Sequence, residues 1–278
     1  MKKQWGKPRS REDVERQIPP SYLAKDEATQ DRRKLTFLLQ ESAFSEHIPI
    51  FCIIDIDLLP EEEKALFNDY ISEQSKQPSD QSTLNSQLST LNSIHAAIII
   101  GQTIAEPFLF AEQLAPGNRG GRISSCAELI TLGYLMGFRE KIETQGYQTA
   151  LIPPSPLPDE RLARMMAASR KGVMGKSRRF LAGEYGAWHS CGLLLTDAPL
   201  MGGDYRYPDV TADLCDGCRA CIEACPCGAL TDEGYDEALC RQFRDNPEHQ
   251  ERASTHTVMK CMRCMTACDK KRIKELCQ

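Results

Sequence analysis

Short apolar runs alternate with amphipathic stretches through the first 200 residues. The apolar runs have the length of buried strands and lie at 48–59, 94–101, 148–154 and 188–200. The stretches that predict helices lie at 11–16, 26–41, 60–76, 123–147 and 159–172. Because helices and strands alternate, we predict an α/β (α+β) domain layered around a sheet.

Composition divides the chain into three segments. Residues 1–47 are polar and charged and predict an N-terminal helical extension, and 48–208 form the α/β domain. Within that domain, 77–93 is rich in Ser, Gln and Asn, which predicts an exposed connection. Residues 209–278 are rich in cysteine and predict a separate small module.

The charge balance limits the possible partners. The net charge is −5 and the pI is about 5.7, whereas a general nucleic-acid-binding surface is basic. Basic patches at 1–12, 170–179 and 269–274 predict solvated faces, with a local tRNA contact as the alternative. No apolar stretch is long enough to cross a bilayer and no secretory h-region follows the N-terminus, so we expect a cytoplasmic protein without a membrane partner.

The cysteines are distributed unevenly. Only Cys52, Cys126 and Cys191 precede residue 215, and the simplest expectation for these three is a buried apolar role. The other ten of the 13 cysteines lie between 215 and 277. Reducing pools keep cytosolic thiols free, so this concentration predicts metal binding rather than a disulfide framework.

The run CDGCRACIEACP at 215–226 has the spacing C-x2-C-x2-C-x3-C-P. This spacing is typical of 4Fe–4S ferredoxins, in which the cysteine before proline binds the neighbouring cluster. Zinc is the competing metal, but a zinc ribbon usually uses two C-x2-C pairs. The run therefore predicts an iron–sulfur centre.

A second, incomplete run follows at 261–268, and Cys240 supplies the cysteine that it lacks. By analogy with the crossed ferredoxin pattern, we predict two 4Fe–4S clusters. The first would use Cys215, Cys218, Cys221 and Cys268; the second would use Cys225, Cys240, Cys261 and Cys264. Cys227 and Cys277 remain outside this scheme, with Cys227 as a substitute ligand or a free thiol.

The lone cysteine followed by C-x2-C-x3-C resembles the cluster module of epoxyqueuosine reductases and reductive dehalogenases. The segment GVMGKSRRFLAGEYGAWHSCGLLLTDAPL at 172–200 is similar to the same group. The elements that carry the likeness are Gly172, Gly175-Lys176, Tyr185-Gly186-Ala187 and Thr196–Leu200. The resemblance covers about 94–278 and is strongest over 170–278.

The resemblance implies a nitroreductase-like α/β domain that holds a cobalamin, to which the two clusters pass electrons for a reduction. A flavin, or no cofactor in that domain, is the alternative. The residues implied in cofactor binding are Gly172, Gly175, Lys176, Tyr185, Gly186 and Ala187. An external donor of the ferredoxin or flavodoxin type would supply the electrons, and a tRNA is the one nucleic acid expected as substrate.

The chain departs from the group at its catalytic aspartate, which lies in a D-[ST]-x-P segment. An ungapped match from the GK turn puts Pro156 at that position, with Asp159 as the nearest acid. Asp159 is equally explained as a first-turn helix charge. Tyr185 and His189 are further weak candidates for a catalytic role. We therefore carry a second hypothesis, a non-catalytic electron carrier or reductive activator that docks on a partner redox or corrinoid protein.

Overall fold

The structure is a computed structural model, and it describes the chain in ten stretches. These are 27–74, 93–104, 112–114, 122–123, 125–154, 160–203, 209–211, 213–254, 257–268 and residue 273. The predicted helix at 11–16 and nearly all of the connection at 77–93 lie outside the described residues, as do Asp159 and Cys277.

The described helices and strands follow the predicted alternation up to residue 196. The helices are α1 (Glu27–Ser45), α2 (Glu61–Gln74), α3 (Cys126–Glu143), α4 (Glu160–Ala167), α5 (Ala220–Glu223), α6 (Glu237–Asp245) and α7 (Arg263–Thr266). The strands are β1 (Ile50–Asp55), β2 (Ala96–Thr103), β3 (Glu112–Leu114), β4 (Arg122–Ile123), β5 (Thr149–Ile152), β6 (Gly172–Met174), β7 (Phe180–Ala182), β8 (His189–Thr196), β9 (Glu251–Ser254) and β10 (Thr257–Met259).

The central sheet has the strand order β1-β2-β8-β5, and all neighbouring strands are antiparallel. Successive residues of β2 point to opposite faces, so Ile99 packs in one core and Ile98 and Ile100 pack in the other. Because both faces are covered, these strands are continuously apolar rather than alternating. This explains why the sequence shows them as unbroken hydrophobic runs.

Helices cover both faces of the sheet. Leu39 of α1 and Phe138 of α3 are fully buried on one face. Phe67 of α2, Met165 of α4 and Phe180 of β7 are buried on the other. Each side chain of this size stabilises the fold by roughly 1.5–3 kcal/mol when it leaves water. Helix α1 is thus part of the layered core.

A second sheet joins the α/β domain to the C-terminal module. Its order is β4-β3-β10-β9, so β3 and β4, which precede α3, pair with strands that lie between the cysteine runs. A separate hairpin, β6–β7, packs beside α4. These short strands were not predicted, because two or three residues carry too little periodicity.

The predicted architecture, an α/β layered domain followed by a ferredoxin-like module, is confirmed. None of the helices in the described stretches has both the length and the apolar composition needed to cross a bilayer.

Gly192 lies in the middle of β8, where the sheet leaves no room for a side chain. A Cβ atom there would lie 2.6 Å from a methyl carbon of Leu135, 2.9 Å from the carbonyl oxygen of Ile152 and 3.1 Å from the nitrogen of Pro154. The last two atoms belong to the backbone and cannot turn away. We expect Gly192→Ala to destabilise the protein by about 1–3 kcal/mol, measured by denaturant unfolding.

Gly133 in the middle of α3 is the matched control, because it is exposed and no atom lies within 4 Å of the position its Cβ would take. Gly133→Ala should stabilise the protein by up to about 1 kcal/mol, since Ala is the better helix former. Equal effects of the two substitutions would contradict the close packing around β8.

Candidate metal centre

The turn between β6 and β7 brings the α/β domain against the cysteine module. The N–H of Gly175 donates to the carbonyl of Arg179 at 2.9 Å, and Arg178 adopts a left-handed φ of 56°. This geometry directs the backbone N–H of Lys176 to the sulfur of Cys215 at 3.4 Å. The ammonium of Lys176 also donates to the carbonyl of Cys218 at 3.0 Å.

The cysteine module contains two similar halves. Helices α5 and α7 each have four residues, begin one residue before a cysteine and pack against each other. The residues that precede them, Arg219 and Met262, have nearly the same backbone angles, with φ −128° in both and ψ of 7° and 22°. Val258 stands in the second half where Cys215 stands in the first. Helix α6 contributes Cys240 instead.

The cysteines surround two neighbouring cavities. The first cavity is bounded by Lys176 and Leu214 and is lined by Cys215, Cys218, Cys221, Cys264 and Cys268. The second cavity is bounded by Arg179, Tyr235 and Arg244 and is lined by Cys225, Cys227, Cys240, Cys261 and Cys264. Cys264 lies between the two. Each of the other seven predicted ligands lines the cavity of the cluster to which it was assigned.

The thiols at each cavity raise one another's pKa values. Burial raises the pKa of Cys268, and the thiols of Cys215 and Cys218 raise it further. Burial also raises the pKa of Cys264, as do the thiols of Cys261, Cys240 and Cys225. The Cys264 thiol in turn raises the pKa of Cys221 in the first cavity, so Cys264 interacts with thiols of both cavities.

The pKa values of Cys221 and Cys225 are shifted in opposite directions. Burial and then neighbouring thiols, first that of Cys215, raise the pKa of Cys221 to about 11. Burial also acts to raise the pKa of Cys225, but hydrogen bonds from the backbone of Leu230 and Cys227 outweigh it and lower that pKa. Backbone donors thus favour the thiolate form, the form that binds metal, at Cys225.

These residues suit iron–sulfur clusters in the type and number of their donors. Within the described residues, no three His, Cys, Asp or Glu side chains converge closely enough to hold a single metal ion. The cysteines are instead spread around the two cavities, five at each, with Cys264 lining both. A 4Fe–4S cluster takes one thiolate at each of its four irons, and backbone N–H groups directed at the sulfurs stabilise it.

The predicted cofactor-binding residues contact the first cavity or pack within the hairpin. Ala187 donates a backbone hydrogen bond to the Cys268 thiol, which lowers its pKa against the larger effect of burial. A Cβ on Gly186 would lie 3.5 Å from the Cys268 sulfur. Gly172 and Gly175 have no room for a Cβ because Phe180 and Leu181 of the opposing strand lie against them. Contact of this segment with a corrinoid stays a prediction.

The weak catalytic candidates have structural contacts. Tyr185 packs against the core beside α4. His189 is buried, and its Nε2 lies 2.7 Å from the carbonyl oxygen of Phe180. Burial, and to a lesser extent the nearby Arg179, lowers the pKa of His189 to about 4. The ring is therefore neutral at pH 7, with Nε2–H as the donor.

The expectation for the three early cysteines needs one correction. Cys52 and Cys191 are buried in the core, as expected, and burial raises the pKa of Cys191. Cys126 is exposed, so the expectation of a buried role was wrong. It is the first residue of α3, directly after the capping residue Ser125, and at this position its side chain is left in solvent.

The segment 196–200 stabilises the fold. The hydroxyl of Thr196 donates to the carbonyl of Gln148 at 2.8 Å and ties β8 to the start of β5. Arg32 of α1 donates to the carbonyl of Pro199 at 2.9 Å and forms an ion pair with the buried Asp55 at 3.0 Å. Burial raises the pKa of Asp55, and Arg32 acts in the opposite direction.

Sequence reasoning missed three polar side chains at the second cavity. These are Arg179, Arg244 and Tyr235. The one sequence signal for these side chains was the basic pair RR at 178–179. It was missed because a basic pair in a predicted turn is ordinarily exposed to water. A surface chain of Ser93, His95 and Asp57, with distances of 3.1 and 3.0 Å, was also missed, and all three side chains are exposed.

Comparison with known proteins supports the iron–sulfur assignment. Residues 208–231 match the family described as 4Fe-4S binding domain. An epoxyqueuosine reductase of Listeria monocytogenes is 31% identical over 130 residues, which cover 40% of this chain and 33% of that protein. The matched part is thus about a third of the relative's length.

Solved structures show the same fold. A selenomethionine-labelled epoxyqueuosine reductase aligns with a TM-score of 0.52 at 16% identity, over 88% of this chain and 66% of that one. An epoxyqueuosine reductase with an epoxyqueuosine-modified tRNA-Tyr stem loop aligns with the same values. The resemblance to epoxyqueuosine reductases and the binding of 4Fe–4S by the C-terminal module are therefore confirmed, whereas the number of clusters stays a prediction.

The neutral, buried His189 predicts a loss of stability in mild acid. Its pKa is about 4 in the folded protein and about 6.5 when unfolded. The stability that it contributes is therefore complete above pH 6.5 and is lost as the pH falls toward 4. Between pH 7.5 and 5.5 the loss should be about 1 kcal/mol, measured by unfolding at both pH values.

His189→Gln is the control, because an amide keeps a donor for the Phe180 carbonyl but does not titrate. The pH dependence of the variant should be smaller by that amount. An unchanged pH dependence would show that His189 is not neutral in the folded protein.

Proposed function

We propose that this relative of the epoxyqueuosine reductases is a cytoplasmic iron–sulfur oxidoreductase with two 4Fe–4S clusters. The clusters would pass electrons one at a time to a cofactor in the α/β domain, which we propose is a corrinoid. The observation that carries this proposal is the pair of adjoining cavities, each lined by at least four cysteines.

The proposed ligand sets are those predicted from the sequence. Cys215, Cys218, Cys221 and Cys268 would hold cluster 1 in the first cavity. Cys225, Cys240, Cys261 and Cys264 would hold cluster 2 in the second. Cys264 lines both cavities, and its assignment to cluster 2 rests on the crossed ferredoxin spacing of the cysteines. Cys227 lies 3.9 Å from Cys225, sulfur to sulfur, and we propose that it is a free thiol beside cluster 2.

The contacts between the domains support a direction for electron flow. The first cavity receives backbone hydrogen bonds from Lys176 and Ala187 of the α/β domain. The indole N–H of Trp188 also donates to the carbonyl of Cys268 at 3.0 Å. Cluster 1 is therefore the proposed electron donor to the α/β domain. Cluster 2 would receive electrons from an external protein of the ferredoxin or flavodoxin type.

The corrinoid rests on sequence similarity. When bound, a corrinoid supplies a metal centre that can be reduced by one electron at a time and can then reduce an organic substrate. Gly186 and Ala187 would present their backbone to it beside cluster 1, since neither carries a side chain larger than a methyl group. Lys176 already donates to the cluster module and would hold the turn in place.

A modified base in tRNA is the substrate class that the comparisons support. One structural neighbour is an epoxyqueuosine reductase with a modified tRNA stem loop. In this chain Pro156 stands at the position that the resemblance gives to the catalytic aspartate. The side chain of proline has no acidic proton, so another group would have to donate the proton in the reduction.

The loss of the aspartate favours a second candidate function. In that case the chain would be an electron carrier or reductive activator that docks on a partner redox or corrinoid protein. The contacts of the GK turn are consistent with this function too, because they hold the cluster module whether or not the α/β domain binds a cofactor.

The two-cluster proposal predicts about eight irons per chain after anaerobic reconstitution. Cys240→Ser should lower the iron content to about four and remove one of two reduced-cluster EPR signals, because Cys240 lines only the second cavity. Iron and zinc analysis together with EPR measures both effects.

Cys227→Ser is the matched control, since Cys227 lies in the same cavity but outside the proposed ligand set. It should retain about eight irons. Wild-type protein with four irons, or with zinc in place of iron, would refute the two-cluster proposal.

Anaerobic purification from cells supplied with cobalamin tests which cofactor of the α/β domain accepts the electrons. We expect a corrinoid absorption spectrum in addition to the broad cluster absorption, at about one corrinoid per chain. A flavin spectrum would replace the corrinoid in the proposal. Clusters without a second chromophore would support the electron carrier.

A further inference from the structure

We propose that Arg244 and Tyr235 raise the reduction potential of cluster 2 above that of cluster 1, so that the first electron to enter the protein resides on cluster 2. This inference rests on the proposed two-cluster function. It concerns which cluster is reduced first, which neither the ligand sets nor the similarity to known proteins assigns.

The physical basis is the charge of the reduced state. Each cluster accepts one electron from a one-electron donor and gains one negative charge, with no bond formed or broken and no proton transferred. A buried positive charge beside a cluster stabilises that extra negative charge more than it stabilises the oxidised state. Net charge and hydrogen bonds to the sulfurs are among the factors that set cluster potentials.

Arg244 places such a charge at the second cavity. It lies on α6, one turn after Cys240, and only 3% of its side chain is exposed. Its guanidinium lies 3.7 Å from a carboxylate oxygen of Asp245, and the ammonium of Lys260 lies 3.3 Å from the same oxygen. The Asp245 side chain is 47% exposed, so water screens its negative charge. The buried guanidinium of Arg244 therefore lies at the second cavity with little screening by water.

Tyr235 adds a hydrogen-bond donor at the same cavity. Its hydroxyl oxygen is buried and makes no hydrogen bond of standard geometry within the described part of the chain. The Tyr235 hydroxyl interacts with the Cys240 thiol, and a phenol, whose ordinary pKa is about 10, keeps its proton at neutral pH. A buried O–H facing a cluster ligand can donate to that sulfur, and such a bond strengthens when the cluster gains an electron.

The first cavity has a different charge balance. Lys176 is its cation, and the ammonium donates to the carbonyl of Cys218. Asp213 accepts the N–H of Cys215 at this cavity. Lys176 is only half-buried and Asp213 is exposed, so water screens both of these charges more than it screens the guanidinium of Arg244 at cluster 2.

Arg179 acts on both clusters and does not decide between them. It is 6% exposed and lies in the turn between β6 and β7. Its charge lowers the pKa of both Cys264 and Cys268 against the larger effect of burial. We therefore expect Arg179 to favour reduction of either cluster, and Arg244 and Tyr235 to produce the difference.

An EPR-monitored redox titration of the reconstituted full-length protein tests the inference, with dithionite as the reductant. The signal that disappears in Cys240→Ser identifies cluster 2. In wild-type protein that signal should appear at the higher potential. Arg244→Met should lower the midpoint potential of cluster 2 by at least about 59 mV, which corresponds to a tenfold change in the equilibrium constant for one-electron reduction. The midpoint of cluster 1 should change much less.

Arg241→Met is the matched control, because Arg241 lies on the same helix, is 58% exposed and pairs with Glu237. It should leave both midpoints unchanged, and Arg244→Lys should keep the midpoint of cluster 2 near the wild-type value. Tyr235→Phe should lower it in the same direction as Arg244→Met. If Arg244→Met does not bind eight irons, the midpoint potential of cluster 2 in Tyr235→Phe tests the inference instead.

Unchanged midpoints in Arg244→Met and Tyr235→Phe would overturn the inference, as would a wild-type protein in which cluster 1 is reduced first. These outcomes are separate from a failure of the proposed function. If the wild-type protein holds a single cluster, the two-cluster proposal fails before any potentials are compared.

Discussion

The arrangement of the site depends on the contact between the β6–β7 turn and the cysteine module, where the backbone of Lys176 donates to the sulfur of Cys215. The five-residue turn that makes this contact also carries Arg179, whose charge reaches thiols at both cavities. A module with ten cysteines has little apolar core of its own, and a cluster adds negative charge that must be compensated. The turn supplies both a backbone donor and a cation.

The sequence was informative wherever a long pattern or a fixed spacing was present. The runs at 48–59 and 94–101 predicted β1 and β2 because both faces of the sheet are covered. The cysteine spacings predicted which thiols would share a cavity, since a short C-x2-C-x2-C loop supplies three ligands of one cluster and the fourth must come from elsewhere in the chain. Cys240 was found by counting the cysteines, since the second run has one fewer than the first, and it lines the second cavity.

Features set by long-range packing could not be predicted. The buried guanidinium groups at the cavities belong to Arg179 and Arg244, which lie 65 positions apart, and no sequence motif marks either of them. The resemblance implied Gly172 and Gly175 in cofactor binding, and only the structure could show that Phe180 and Leu181 of the same hairpin lie against these glycines. Cys126 was expected in the core, and only the position of Ser125 as a helix cap explains why it lies in solvent.

The central claim is that two 4Fe–4S clusters occupy the two cavities. Anomalous diffraction at the iron absorption edge, from crystals of the anaerobically prepared protein, tests it most directly. We expect two separate iron peaks, one bounded by Cys215, Cys218, Cys221 and Cys268 and the other by Cys225, Cys240, Cys261 and Cys264. A single peak, or signal that appears only at the zinc edge, would contradict the claim.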